Sequence, residues 1–338
     1  MIVIMKPNAS QEAIDRVQDE IQKLGYTPRP VVGESRTLVG VLGLKPLRGK
    51  QHLGSLPEVS DVLEISTPYK LASREWHPHD TLVKVGGTSI GGDNVSIIAG
   101  PCSIESYEQT KTVGVAVKAA GGHMLRGGAF KPRTSPYSFQ GLGVEGLKIL
   151  KQVGEEVGLP TVTEVTDTEV LDVTAQHTDM LQIGTRNMQN FTLIKEAART
   201  GLPIFLKRGM SATVKETILA AEYILNEGNE NLVLCERGIR TYVDHTRNTL
   251  DVSAIPAFQQ LTHLPVVVDP SHAAGKRAMV LPLSLAGIAA GAQGVMVEVH
   301  PNPEEALSDG PQQLVPAEFK NLVDQIRLVA EAVGKSVE

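Results

Sequence analysis

The sequence predicts an α/β protein: a (β/α)8 TIM barrel preceded by a small α+β, ferredoxin-like domain. Three observations predict it. From Val95 onward, eight short apolar, β-branched runs recur in order, and helical stretches separate most of them. Every run ends in polar residues, as expected if all eight strands open onto one rim. Before residue 67 the order is instead strand, helix, two strands, helix, strand.

The elements follow in chain order. Ile2–Met5 reads as a strand, and Ser10 is placed to cap a helix whose apolar positions Ile14, Val17, Ile21 and Leu24 recur at helical spacing. Thr27–Val32 and Arg36–Leu42 read as strands joined through Gly33-Glu34. A weak helix over Gly49–Leu56 and a strand over Val59–Ile65 complete the βαββαβ order of residues 1–66. Residues 67–94 read as a polar linker with two prolines and the lone Trp76, then a hairpin over Leu82–Ile90 that turns at Gly86-Gly87. Residues 95–338 carry the barrel strands Val95–Ala99, His123–Leu125, Thr161–Val165, Met180–Ile183, Ile204–Leu206, Leu232–Leu234, Val266–Val268 and Val295–Val299. Phe319, Leu322, Ile326, Val329 and Val333 mark one face of the last helix. An open doubly wound sheet is the alternative, but no Gly-x-Gly-x-x-Gly turn follows an early strand.

Composition excludes several function classes. The 338 residues carry a net charge of −6, which argues against a general polyanion or nucleic-acid binder. Two cysteines make no disulfide framework. The N-terminus lacks the pattern of a signal peptide, and no apolar run approaches the length of a membrane span. A cytoplasmic location without membrane partners is the expectation.

Positive charge is concentrated where the strands end. Between Gln109 and Val144 there is no Asp or Glu, yet Lys111, Lys118, Arg126, Lys131 and Arg133 fall there. Arg126 follows the second barrel strand, Arg186 the fourth, Lys207 and Arg208 end the fifth, and Arg237 ends the sixth. Cations converging on a rim need anions. Glu164 and Glu236 are candidates to neutralise some of them; the excess suits bound phosphate or carboxylate. In the loop after the second strand, Pro132 and Pro136 add stiffness while Thr134, Ser135 and Ser138 add hydroxyls, a composition suited to a phosphate monoester.

A second group of residues points to a metal. Cys102 follows the first barrel strand, His272 the seventh, and Glu298 and Asp309 belong to the eighth strand and its loop. Strands seven, eight and one are neighbours in a closed barrel. One thiolate, one imidazole and two carboxylates suit a single divalent ion such as Mn, Fe, Co or Zn. Each residue also fits a purely structural role, Cys102 in packing and His272 in hydrogen bonding. Cys235 lies inside an apolar strand and reads as core, and His300, Asp269 and His123 are candidate supporting residues. The combination points to metal-polarised carbonyl chemistry on phosphorylated substrates.

The segments IAGPCSIE, LRGGAFKPRTSPYSFQGLG, LQIGTRNMQN, LKRG, LCERGIRTY, VDPSHAAGKR and VEVHPNPEEALSDG resemble the signature segments of the 3-deoxy-D-arabino-heptulosonate 7-phosphate (DAHP) synthase family. The N-terminal module resembles the regulatory domain of the type I-beta subgroup. The resemblance implies condensation of phosphoenolpyruvate with erythrose 4-phosphate, the first step of the shikimate pathway. It implies that Cys102, His272, Glu298 and Asp309 are metal ligands, and that Arg126, Lys131, Arg186, Lys207 and Arg237 cradle phosphoenolpyruvate. Arg133, Thr134 and Ser135 then receive erythrose 4-phosphate. Lys131, Glu164 and His272 are the candidate catalytic residues, with Lys131 a proton donor and Glu164 a group that orients water. An aromatic amino acid, Tyr or Phe, is the implied effector of the N-terminal domain, and a homotetramer the implied assembly. Thr185 stands where the family often has alanine. The related synthase that acts on arabinose 5-phosphate typically carries Lys-Ala-Asn-Arg where this chain has Lys131-Pro132-Arg133-Thr134. A metal-dependent aldolase and an inactive sensor protein are the remaining alternatives.

Overall fold

The computed structural model describes residues 1–32, 36–43, 48–64, 67–132 and 135–338. These form two compact units, Met1–Pro78 and His79–Glu338.

In the first unit, β1 (Ile2–Met5), α1 (Gln11–Lys23), β2 (Thr27–Val32), β3 (Thr37–Leu42), α2 (Lys50–Gly54) and β4 (Val59–Leu63) follow in the expected order. The strands form an antiparallel sheet in the order β2-β3-β1-β4. Gly33-Glu34 and Ile65 lie outside the described residues. Ser10 caps α1, its Oγ accepting from Ala13 N at 3.3 Å. The apolar stripe Ile14, Val17 and Ile21 is buried against Val3, Met5, Val39 and Val41. Edge strand β2 pairs Pro28 with Val41 and Pro30 with Val39. Proline cannot donate to a ladder, so the pairing donors must come from the alternate residues. The proline nitrogens therefore face the open edge, which blunts it against further strand pairing.

The stretch read from sequence as a linker belongs to this unit as far as Pro78. Tyr69, Leu71, Ala72 and Trp76 are buried. A Cβ on Gly40 would fall inside the Trp76 indole, so the absence of a side chain on β3 is what admits the ring. Polarity alone hid this role, because the anchoring residues are few and widely spaced.

In the second unit, β5 (Val83–Val85) and β6 (Thr88–Ile90) form the expected hairpin. Eight parallel strands then close on themselves: β7 (Ser96–Gly100), β8 (Met124–Arg126), β9 (Thr161–Val165), β10 (Met180–Ile183), β11 (Ile204–Lys207), β12 (Leu232–Glu236), β13 (Val266–Val268) and β14 (Gly294–Glu298). The longer helices around them are α3 (Tyr107–Ala120), α4 (Val144–Val157), α5 (Leu171–Ala175), α6 (Phe191–Arg199), α7 (Val214–Asn226), α8 (Ala254–Leu261), α9 (Pro270–Ala274), α10 (Arg277–Ala289) and α11 (Pro316–Ala332). Several strands run one or two residues further than sequence suggested, through Arg126, Lys207 and Glu236. Charged residues at these positions looked like loop. They remain in the strands because cross-strand partners offset their charge.

The barrel interior explains how the rim is supplied. Ile98, Met124, Val162, Met180, Phe205, Val233, Val267 and Met296 form one buried apolar cluster, and Val83, Val85 and Ile90 of the hairpin join it. Side chains alternate along a strand, so residues two further on share that face. Two residues on stand Gly100, Arg126, Glu164, Gln182, Lys207, Cys235, Asp269 and Glu298, and one step more reaches Cys102 and Arg237. An apolar floor is thus followed, strand by strand, by polar and charged side chains. Among the described residues no helix is long and apolar enough to cross a membrane.

Gly40→Ala tests the buried-indole arrangement. Trp76 is the only tryptophan in the chain, so its emission should shift to the red as the ring is displaced. The cost should be about 1–3 kcal/mol, read from denaturant unfolding of the Trp76 signal. An unchanged spectrum and midpoint would contradict it.

Candidate active site

Cys102, His272, Glu298 and Asp309 come together at the rim, with one donor atom from each lying within 4.8 Å of all the others. His272 Nε2 is 3.3 Å from Glu298 Oε1, and Cys102 Sγ is 3.5 Å from Asp309 Oδ2. His272 sits in α9, whose N-cap Asp269 accepts from the His272 backbone N–H at 2.9 Å. The Asp269 carboxylate also meets His272 Nδ1 at 2.7 Å. With Asp269 ionised, Nδ1 carries the proton and Nε2 offers its lone pair to the cluster. Asp309 occupies the left-handed region, φ 48°, which Asp tolerates better than most residues.

Neighbours orient the remaining donors. Arg126 donates to Glu298 Oε1 at 2.8 Å and Gln312 Nε2 to Glu298 Oε2 at 2.5 Å. Gln313 Oε1 accepts from Cys102 N at 3.1 Å. A soft sulfur, an imidazole and two carboxylates, converging and braced from behind, fit one divalent ion of the borderline class.

The electrostatics agree with that fit. Burial, then Glu298, pushes the Cys102 thiol up to about 12, so the sulfur is protonated until a cation displaces the proton. Burial alone would raise Glu298, but His272, Arg126 and Lys131 outweigh it and hold the carboxyl down at about 2. Burial lowers His272 despite Asp269 and Glu298, which keeps the imidazole neutral and available as a ligand.

Beside the cluster lies a cavity of about 270 Å3. Lys131, Glu164, Arg186, Lys207, Arg237, His272 and Asp309 line it, as does Ser135. Lys131 Nζ is 3.2 Å from Cys102 Sγ and donates to Cys102 O at 3.0 Å. Burial works against the Lys131 ammonium, yet the Cys102 sulfur, Glu298 and Glu164 outweigh it and raise its pKa. Lys207 is paired with Asp269 at 2.5 Å. Among the described residues, Arg186 and Arg237 have no carboxylate partner. Arg237 donates only to the Gly238 and His272 carbonyls, at 3.4 and 3.5 Å. Burial outweighs the nearby Asp269 and lowers its pKa, the mark of a buried cation whose charge is only partly offset. The cavity can therefore take an anion.

Several sequence expectations change. Arg208 does not reach the cavity. It pairs with Glu236 at 2.7 Å and with Asp251 at 2.9 Å, on the opposite face of its strand. Glu236 neutralises a cation as read, but Glu164 accepts from Gln182 Nε2 at 2.9 Å and, among the described residues, pairs with no cation. His123 supports no rim ligand: it lies just before β8, at the far end of the barrel, its Nδ1 accepting from Ile97 N at 2.8 Å. His300 meets Glu105 at 3.4 Å rather than a ligand. Cys235 is core. Arg133 and Thr134 lie outside the described residues. Sequence reasoning missed Arg247, which lines the cavity and reaches Asp309 Oδ1 at 3.4 Å. It also missed Gln312 and Gln313. All three lie in long loops away from strand ends, where spacing carries no signal.

A closed barrel whose rim joins a four-donor cluster to a cation-lined cavity has the layout of an enzyme that takes a divalent ion and anionic substrates. The chain belongs to the DAHP synthetase I family, whose model matches residues 69–333. Residues 1–67 match the DAHP synthase ferredoxin-like domain. The chain is 45% identical over 337 residues to the phospho-2-dehydro-3-deoxyheptonate aldolase of Thermotoga maritima, covering 100% of each. The crystal structure of that organism's DAHP synthase matches with a TM-score of 0.80, covering 100% of this chain and 99% of the other. A 2-dehydro-3-deoxyphosphooctonate aldolase from Magnetococcus marinus is 33% identical over 69% of this chain and 86% of its own length.

Because Cys102 must lose a proton while His272 has none to lose, metal affinity should rise about tenfold per pH unit between about pH 6 and 8. Calorimetric titration of the metal-free chain in buffers of different ionisation enthalpy measures it. A flat profile would exclude Cys102 as a ligand.

Proposed function

We propose that this rim carries out the family's condensation of phosphoenolpyruvate with erythrose 4-phosphate, yielding DAHP and phosphate at the first step of the shikimate pathway. One observation carries the reading: the four-donor cluster and the cations Lys131, Arg186, Lys207 and Arg237 open into a single cavity. A substrate held by the cations is thereby held beside the cluster.

A divalent ion held by Cys102, His272, Glu298 and Asp309 would supply Lewis acidity for an aldehyde oxygen. Arg186, Lys207 and Arg237 bind phosphoenolpyruvate, and Arg126, fixed behind them on Glu298, adds positive charge at the cavity floor. Ser135, with Arg133 and Thr134 of the same loop, receives the aldose phosphate. C3 of phosphoenolpyruvate attacks the aldehyde carbon, and Lys131 donates a proton to the new alkoxide. Positive character at C2 draws in a water that Glu164 orients. Loss of phosphate by C–O cleavage completes the reaction. His272 contributes through the cluster, its orientation held by Asp269.

The second reading is the five-carbon substrate, since octulosonate-forming relatives align with most of the barrel. The spelling Lys131-Pro132-Arg133-Thr134 and the N-terminal ferredoxin-like match both favour the four-carbon sugar. For the N-terminal unit we propose feedback inhibition by Tyr or Phe, and for the whole chain a homotetramer acting in the cytoplasm.

Phosphate release from phosphoenolpyruvate should require erythrose 4-phosphate, fail with arabinose 5-phosphate, and stop with chelator. Release with arabinose 5-phosphate at a comparable rate would reverse the substrate assignment. Arg186→Ala should lose about 2–5 kcal/mol of kcat/KM for phosphoenolpyruvate. Unchanged kinetics would remove Arg186 from the cradle. Deleting residues before Thr67 should abolish inhibition by Tyr or Phe while turnover persists; retained inhibition would move the effector site elsewhere.

A further inference from the structure

Thr185 opens the short turn Thr185–Asn187 that follows β10. It lines the same cavity as Glu164, Arg186, Lys207 and Arg237. Its Oγ1 is buried and, among the described residues, has no hydrogen-bond partner. A buried hydroxyl is almost always bonded, because an unpaired one has given up its bonds to water for nothing. Other threonines of this barrel avoid that cost by donating to the carbonyl four residues back, as Thr110, Thr174 and Thr217 do. Thr185 follows a strand and has no such carbonyl within reach. A donor without an acceptor stands here on the wall of a cavity where Arg186 and Arg237, too, have no carboxylate partner among the described residues.

We propose that the Thr185 hydroxyl donates a hydrogen bond to a phosphoryl oxygen of the bound substrate, adding a neutral donor to the charged ones of Arg186, Lys207 and Arg237. The inference rests on the reading of the cavity as the phosphoenolpyruvate site. A tetrahedral phosphoryl group has more acceptor positions than three side chains need occupy, and a short, stiff hydroxyl loses little freedom on binding. The contact makes Thr185 a substrate-binding residue.

The test compares Thr185→Val, which keeps the shape and removes the hydroxyl, with Thr185→Ser, which keeps the hydroxyl. Inorganic phosphate is titrated into each chain by calorimetry, and the KM for phosphoenolpyruvate is measured alongside. Thr185→Val should weaken phosphate binding and raise KM by about tenfold. Thr185→Ser should stay within about twofold. Without ligand, Thr185→Val should unfold at the same temperature as the parent or slightly higher, because it removes an unpaired buried group; a hydroxyl that merely braced the turn would give the opposite shift. If the parent binds phosphate and Thr185→Val binds it equally well, the inference is overturned and the reading of the cavity stands. If the parent binds no phosphate, both fall.

Discussion

Glu298 is fully buried at the end of β14, and the need to offset its charge organises the rim. An ionised carboxylate cannot sit there alone. Arg126 reaches across from β8, Gln312 comes in from the loop beyond Asp309, and His272 comes from α9. Each partner brings something else with it. Arg126 places positive charge at the cavity floor, His272 brings Asp269 and through it Lys207, and the Gln312 loop carries Asp309. A single buried charge thus ties strands two, five, seven and eight of the barrel into one electrostatic arrangement.

That arrangement is lopsided in a useful way. Acid and thiol donors gather on one side, where a divalent ion would compensate them. Cations gather on the other, where Arg186 and Arg237 have no carboxylate partner among the described residues. Were every cation paired as Arg208 is with Glu236 and Asp251, the rim would be a closed ionic lattice with no call for a ligand. Strand alternation decides which way a cation points. Lys207 and Arg208 are adjacent in sequence, yet one faces the cavity side and the other the surrounding helices.

Close approach sets the remaining constraints. A Cβ on Gly184 would fall on the Glu164 carboxylate, so glycine at the end of β10 is what lets Glu164 sit at the cavity wall. Gly40 does the same for Trp76 in the N-terminal unit. In both places a missing side chain admits a larger one from another strand or segment. That partnership is invisible in the local sequence of either residue.

What the sequence by itself determined is what local physics decides. Period-two and helical spacing mark the strands and helices, and the residue types at strand ends mark a rim rich in cations and metal-type donors. The four donors Cys102, His272, Glu298 and Asp309 were legible because barrel closure makes the seventh, eighth and first strands neighbours. Their gathering within 4.8 Å was left to the folded chain. Only the tertiary structure decided which charges neutralise one another and which remain available. Arg208 is taken by Glu236 and Asp251, Lys207 is held by Asp269 yet still faces the cavity, Arg186 and Arg237 have no carboxylate partner among the described residues, and Arg247, Gln312 and Gln313 are drawn in from long loops. The physical reason is that ion pairing depends on register between strands and on where loops close. Both are contacts between residues far apart in the chain, and no spacing within a single segment encodes them.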